Sequence, residues 1–312
     1  MFASPSRLIG LGLVILAHVL GVSAAEKNVY LKEHYPASGK LGLRVDWGLL
    51  TRHGMSVRKE KTYEWAFSSR LRFSGSLKDV SNETIAGITV QAFRDMIENL
   101  RLYQTDGWNN LDKPPSITPG VMTVLVYDNE MIIGSSQRGP HGLSFIDIPA
   151  EVERDENGKV KDPDQVSEVY TDLMDCEAEY SRITGIKTPN SINHINSRHC
   201  GEVLVLHHWK RIFKGKDIAN TENPRIFSVT KVNNPATKTW EIVPLDPCGK
   251  LPEGGMAETR DNKHGCMLFV TYRNPAVLII PLATVPEQNV DVASLTGELP
   301  TRLELDSCIK RP

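Results

Sequence analysis

The stretch on which the fold depends reads Asn196-Ser-Arg-His-Cys-Gly-Glu-Val-Leu-Val-Leu-His-His-Trp209. Asn196 or Ser197 is placed to cap a helix, and the apolar residues that follow predict a helix buried on most of its sides. Cys200 and Glu202 fall in its opening turn, where the helix dipole and unpaired amide groups favour a thiolate. The stretch therefore indicates a core helix whose start offers a thiol and a carboxylate, an environment suited to a metal ion.

Length and composition set wide bounds. The chain has 312 residues, of which 40% are hydrophobic and 24% charged, and its formal net charge is −2. This length can form one large domain or two smaller ones. The near-neutral charge indicates neither a basic nucleic-acid stripe nor a long acidic disordered tail, so the class of partner stays open.

The first 25 residues have the pattern of an export signal. Arg7 is their only charged side chain, and an apolar run from Leu8 to Val22 precedes the small residues 23–25. This pattern predicts a cleaved secretory signal peptide. A membrane anchor is the alternative, but about 15 apolar residues fall short of the roughly 20 needed to span a bilayer. We therefore expect a secreted protein without a membrane segment in its mature form, and the N-glycosylation sequon at Asn82 is consistent with export.

Secretion changes how the cysteines are interpreted, because an oxidising compartment pairs thiols unless a metal ion holds them. The chain has five: Cys176, Cys200, Cys248, Cys266 and Cys308. Two disulfides with one free thiol is one partition of this odd number. A three-thiolate metal site with one disulfide is the other, and it leaves no thiol over.

The hydrophobic pattern predicts alternating helices and strands. An amphipathic helix is expected over 84–102, and two apolar strands over 121–127 and 131–137 predict a β-hairpin covered on both faces. A second amphipathic helix over 166–180 places Cys176 in the interior, either as a plain thiol or as half of a disulfide. Further strands are expected at 224–232, 238–245 and 276–281, and a strand or a helix end at 267–272.

Other segments give weaker patterns. Residues 26–83 predict an irregular N-terminal extension, and 151–165 a charged exposed insert. Arg52-His53 resembles the opening of the histidine phosphatases, a family that also needs a second histidine, for which His141 is the nearest candidate. A solvated basic turn is the alternative interpretation of Arg52-His53.

A helix and a hairpin precede the helix with Cys200-x-Glu202, and a strand, Pro247-Cys248 and the later Cys266 follow it. Taken together, this order resembles that of the zinc-dependent cytidine deaminase superfamily. The likeness is strongest to deaminase-like proteins of filamentous fungi and secreted toxins. It covers roughly residues 84–285 and leaves 286–312 as a tail. It implies the α/β fold class, with a three-layer α/β/α core built on a mixed sheet.

The resemblance implies that Cys200, Cys248 and Cys266 hold Zn²⁺, with water or substrate in the fourth position. Glu202 then serves as the proton shuttle. The family usually places its last two cysteines two residues apart, whereas 17 residues separate Cys248 from Cys266 here. A loop of that length is tolerated, because closure entropy grows slowly with length.

The implied function is a secreted hydrolytic deaminase that acts on a nucleobase, a nucleoside or single-stranded nucleic acid. Related deaminases often associate, so the resemblance leaves room for an oligomer. It also predicts a disulfide between Cys176 and Cys308, while His207 and His208 are expected to be structural. A non-catalytic secreted effector on a disulfide-stabilised scaffold is the main alternative. The residues expected near a base are Asn193, Asn196, His199, Ser135 and Ser136.

Overall fold

The computed structural model describes residues 39–46, 49, 66–102, 118–138, 144–146, 155–156, 161, 166–186, 194–237, 239–249 and 263–305. Several of the predictions above fall outside these ranges. They concern the signal peptide, Arg52, His53, His141, Asn193, Cys308 and most of the charged insert.

An open sheet of eight strands forms the centre of this part of the chain. Its spatial order is β1-β2-β4-β3-β5-β6, with β7 beside β5 and β8 beside β2. Every pairing is antiparallel except the parallel pair of β5 and β7. The strands are β1 Arg44–Val45, β2 Phe67–Arg72, β3 Val121–Tyr127, β4 Glu130–Ser135, β5 Arg225–Asn234, β6 Thr239–Leu245, β7 Leu278–Ile279 and β8 Thr301–Leu303.

Helices lie on both faces of the sheet, which gives the α/β class that the sequence predicted. Helix α1 packs on one face, whereas α3 packs on the other and is itself covered by α2. None of the helices in the described ranges is both long and apolar enough to cross a bilayer. The helices are α1 Asn82–Leu102, α2 Glu168–Thr184, α3 Gly201–Ile212 and the short α4 Cys266–Leu268, which continues as a π-helical turn over Phe269–Arg273; 3₁₀ turns cover Ile218–Asn220 and Val292–Leu295.

The β3–β4 hairpin is covered on both faces, as its continuous apolar pattern predicted. Val124 and Ile133 belong to the hydrophobic core on the α1 side. Leu125 and Ile132 belong to the core on the α3 side. All four side chains are fully buried. Helix α3 therefore packs directly on one face of the hairpin.

Helix α3 begins later than the predicted cap. Ser197 and Arg198 have positive φ angles of 48° and 66°, which belong to a turn and not to a helix start. The N-cap is Cys200, and its side chain makes no capping hydrogen bond. The prediction of Asn196 or Ser197 as the cap was wrong, because this left-handed turn intervenes. Each residue from Gly201 to Trp209 is buried, which confirms the predicted core helix.

Ser81 caps helix α1. Ser81 Oγ accepts a hydrogen bond of 3.0 Å from the backbone amide of Thr84. Asn82, the residue of the sequon, opens the helix, and its side-chain oxygen accepts from Arg225 Nη1 at 3.1 Å. Glycosylation of Asn82 stays a prediction.

Candidate metal centre

Three loops meet at the start of helix α3. Residues 194–200 lead into α3, residues 246–249 follow β6, and residues 263–265 lead into α4. Backbone hydrogen bonds of 2.9 Å join them, one from Ile195 N to His264 O and one from Met267 N to Cys248 O. Side chains that are far apart along the sequence are thereby gathered at one point.

The side chains gathered there are one imidazole and three thiols. One donor atom from each of His194, Cys200, Cys248 and Cys266 lies within 4.8 Å of all the others. The sulfurs of Cys200 and Cys248 are 3.3 Å apart. His194 Nε2 is 3.4 Å from Cys266 Sγ and 3.8 Å from Cys248 Sγ.

These distances suit a metal ion. A tetrahedral zinc ion with bonds of about 2.3 Å to sulfur and about 2.0 Å to nitrogen sets its donors roughly 3.5 to 3.8 Å apart. The observed separations of 3.3, 3.4 and 3.8 Å are close to these values. Thiolates and imidazole are also the ligands that zinc prefers. The cluster can therefore bind a metal ion, and its chemistry is compatible with zinc.

Two glycines let the cysteine loops approach each other. A Cβ atom on Gly265 would lie 2.1 Å from the carbonyl oxygen of Cys248, which is backbone and cannot move aside. Gly249 has a φ of +80°, in the left-handed region that favours glycine. Glycine at these positions thus permits Cys248 and Cys266 to meet across the 17 intervening residues.

Cys248 is the thiol whose neighbours favour its ionised form most. A hydrogen bond from the Cys200 thiol, supported by Cys266, holds the pKa of Cys248 well below its usual value. The backbone amide of Cys266 also donates to Cys248 Sγ at 3.2 Å. The same contact with Cys248 raises the pKa of Cys200, and burial raises that of Cys266. Cys248 is therefore the thiol of the cluster that loses its proton most readily.

Glu202 lies beside this cluster without belonging to it. Its side chain is buried, and Oε1 accepts a hydrogen bond of 2.6 Å from Ser228 Oγ. The hydroxyl of Ser228 is in turn 2.7 Å from that of Thr123. Burial, and next the charge of Cys248, raise the pKa of Glu202 to about 7, although the bond from Ser228 opposes this shift. Glu202 is thus a carboxyl group that can gain and lose a proton near neutral pH.

Close packing of α3 against the hairpin fixes the position of Glu202. A Cβ atom on Gly201 would lie 2.3 Å from Thr123 Oγ1. A Cβ atom on Gly134 would lie 3.0 Å from Val205 Cγ1. The two glycines therefore bring the helix start down onto β3 and β4, within reach of Ser228.

Helix α2 supports the loop before Cys266. His264 Nε2 lies 3.2 Å from Glu177 Oε2, and both side chains are buried. Burial lowers the pKa of His264. The His264 ring meets that of His194 edge to face, with centroids 5.2 Å apart. The contact with Glu177 therefore restrains a histidine that packs directly against the metal centre.

The residues predicted to contact a base fall into two groups. Asn196 and His199 lie in the loop that leads into α3; Asn196 is exposed, and its Nδ2 lies 3.6 Å from Cys200 Sγ. Ser135 and Ser136 instead support the backbone around the hairpin.

The hydroxyl groups of these two serines hold neighbouring strands. Ser135 Oγ accepts from Phe67 N at 2.9 Å, and Ser136 Oγ accepts from Val121 N at 3.1 Å. These bonds give both side chains a structural role.

The two adjacent histidines of α3 contact different partners, as expected for structural side chains. His207 Nδ1 is 2.7 Å from Ser167 Oγ, the cap of α2. His208 Nε2 is 3.0 Å from Asp46 Oδ2. Neither histidine belongs to the metal centre.

The structure does not show the predicted disulfide between Cys176 and Cys308, and Cys308 itself lies outside the described residues. Cys176 is a free thiol, as are Cys200, Cys248 and Cys266. It lies on the buried side of α2, within the core, and burial raises its pKa to about 12. Of the two alternatives for Cys176, the structure thus shows the plain buried thiol.

His194 is the member of the centre that sequence reasoning did not include, since the fourth position was left to water or substrate. The residue precedes Cys200 by six positions in a loop. No helical or strand periodicity connects two such residues, so their proximity along the chain was the only signal.

Comparison of the chain with protein-family models, curated proteins and solved structures gave no significant match. The functional argument therefore depends on the geometry of the site.

Proposed function

We propose that the chain is a secreted zinc-dependent hydrolytic deaminase that acts on a nucleobase, free or within a nucleoside or nucleic acid. The observation that carries this proposal is the position of Glu202. It is a buried carboxyl group, two residues after a thiol of the metal centre, with one oxygen fixed by Ser228. A structural zinc site needs no such group, whereas hydrolysis needs a proton carrier.

The ligands would be Cys200, Cys248 and Cys266, with His194 as a fourth donor. A zinc ion held there supplies a Lewis acid that lowers the pKa of a nearby water molecule. Deamination then replaces the exocyclic amine of the base by the oxygen of water and releases ammonia.

Glu202 would move the protons. Its Oε1 is held by Ser228 at 2.6 Å, and the other oxygen, Oε2, would take a proton from water and return it to the base. A pKa of about 7 suits this exchange, because a general acid–base works best when its pKa is near the operating pH. The exposed Asn196 beside Cys200 is the candidate contact for the base.

The test combines metal analysis with ammonia release from a panel of bases, nucleosides and single-stranded oligonucleotides. We expect one zinc ion per chain, and Glu202→Gln should lower the rate roughly 10²- to 10⁴-fold with zinc retained. Glu168→Gln changes an exposed glutamate in the first turn of another helix and should change neither property. Purified protein without zinc, or an activity indifferent to Glu202→Gln, would contradict the proposal.

The alternative is a non-catalytic secreted protein in which zinc only holds the three loops together. His194 favours it, because it completes four protein donors, as in closed structural zinc sites. On this alternative zinc is retained, the whole panel gives no ammonia, and removal of zinc by a chelator unfolds the loops.

A further inference from the structure

The metal centre of the proposed deaminase contains a conflict. His194 supplies one of the four donor atoms of the cluster, and its Nε2 lies 3.4 Å from Cys266 Sγ. Catalytic zinc sites keep one position open for water, whereas four protein ligands close it. If His194 were a permanent ligand, Glu202 would have no water to act on.

The second ring nitrogen of His194 bears on this conflict. Nδ1 accepts hydrogen bonds from two backbone amides, that of Asn196 at 3.2 Å and that of Arg198 at 3.3 Å. Both bonds need a lone pair on Nδ1, so the hydrogen of the neutral ring is assigned to Nε2. Metal-bound histidines normally do the reverse and donate their other N–H to a carbonyl or carboxylate.

Binding a metal ion through Nε2 therefore has a cost that the cysteines do not share. The ring hydrogen must move to Nδ1, where it would face two amide hydrogens, and both backbone contacts would be lost. When His194 is not a ligand, those contacts persist and Nε2–H can donate to the thiolates of Cys248 or Cys266. The ring is thus fully hydrogen-bonded only when it is not a ligand, so a metal–nitrogen bond has to offset two lost backbone contacts, a cost that the bonds to the cysteines do not carry.

We infer that His194 is an exchangeable fourth ligand, which closes the metal centre at rest and gives up its position to water or to a substrate group. The three cysteines hold the metal in both conditions. This inference rests on the metal site of the proposed function and adds a means of keeping that site closed until a ligand arrives.

The experiment uses the full chain loaded with Co²⁺ or Zn²⁺ and follows the ligands by X-ray absorption and Co²⁺ absorption spectra. In the wild type we expect the X-ray scattering that the ring atoms of a metal-bound imidazole produce, here called the imidazole signal. His194→Ala should remove this signal. His199→Ala, which changes another histidine of the same loop, should retain it. Because the three cysteines hold the metal ion in both conditions, His194→Ala should still bind one metal ion per chain, and its metal affinity should fall by no more than roughly 10- to 100-fold, the loss that removing a mere supporting neighbour of the ligands produces.

Exchange is tested by adding cyanide, a small ligand that competes for one position. In the wild type it should replace the imidazole signal while one metal ion per chain remains bound. In His194→Cys, which offers a fourth thiolate, the same addition should leave the spectrum unchanged. The wild-type measurement needs no variant, so a folding defect in either variant does not weaken it.

Two results would overturn the inference. An imidazole signal that persists until the metal is stripped would make His194 a permanent ligand. A wild type without an imidazole signal would mean that His194 is not a ligand. Ammonia release is scored separately: exchange without activity would reject the deaminase alone, and activity lost in Glu202→Gln without an imidazole signal would reject the inference alone.

Discussion

Ser228 Oγ donates a hydrogen bond of 2.6 Å to Oε1 of Glu202 and so connects strand β5 with the first turn of helix α3. Both residues are buried. Because a buried carboxylate without a partner is costly, this bond both stabilises the fold and fixes one carboxylate oxygen beside the thiols. The behaviour of Glu202 can therefore be tested through stability as well as through activity.

Glu202→Gln should change how the stability of the metal-free, reduced chain depends on pH. The pKa of Glu202 rises from 4.5 to about 7 on folding, so its contribution is fully present below pH 4.5 and is lost as pH rises through 7. Gln stays neutral, so the variant should be more stable than the wild type at about pH 8, by at most roughly 3 kcal/mol, and should match it near pH 4. Denaturant midpoints at the two pH values measure this difference.

The matched control for this prediction is Glu168→Gln, which removes an exposed carboxylate. It should give the same small difference at both pH values. A Glu202→Gln difference that does not grow with pH would show that this carboxyl group is not desolvated in the folded chain.

Gly201→Ala should destabilise the junction of α3 with the hairpin. The new Cβ would meet Thr123 Oγ1 at 2.3 Å and the carbonyl oxygen of Gly134 at 3.2 Å. Overpacking of this kind costs about 1–3 kcal/mol. Gly120→Ala is the control, since nothing lies within 4 Å of a Cβ there. Equal denaturant midpoints for the two variants would contradict the close approach of α3 to β3.

Gly265→Ala should weaken metal binding by separating the cysteine loops. Its Cβ would lie 2.1 Å from Cys248 O and 2.8 Å from Gly249 N, both backbone atoms. We expect metal affinity, measured by competition with a chelator, to fall at least about tenfold. At Gly75 the nearest atom is 3.5 Å from a Cβ, so Gly75→Ala should bind metal normally. Unchanged affinity in Gly265→Ala would mean that the loops need not meet.

Cys176→Ala should leave metal content at one ion per chain, whereas Cys266→Ala should lose the metal. Cys176 lies in the core outside the donor cluster, and Cys266 is one of its members. Because burial raises the pKa of Cys176 to about 12, this thiol should also resist alkylation in the folded chain. Mass spectrometry after alkylation checks this. Rapid modification of Cys176, or loss of metal in Cys176→Ala, would refute its assignment as a buried core thiol.

Much of the fold could be predicted from local pattern. The apolar middles of β3 and β4 indicated a hairpin that is covered on both faces, and the apolar run after Glu202 indicated the core helix α3. The start of α3 could not be predicted in the same way, because Ser197, a residue type that often caps helices, lies instead with Arg198 in a left-handed turn. Helix propensity describes which backbone conformations a residue tolerates, whereas contacts in the folded chain decide which of them Ser197 and Arg198 adopt.

The amino-acid sequence by itself indicated the order of the main elements, because that order depends on residue type and short spacing, and its resemblance to the zinc-dependent deaminases implied the α/β class and the set of three cysteines with Glu202. Only the tertiary structure decided that His194 joins the cysteines and that Cys176 stays a free thiol. Donor atoms from segments distant in sequence meet only where backbone bonds and glycine contacts align the loops, and no periodicity along the chain encodes that alignment.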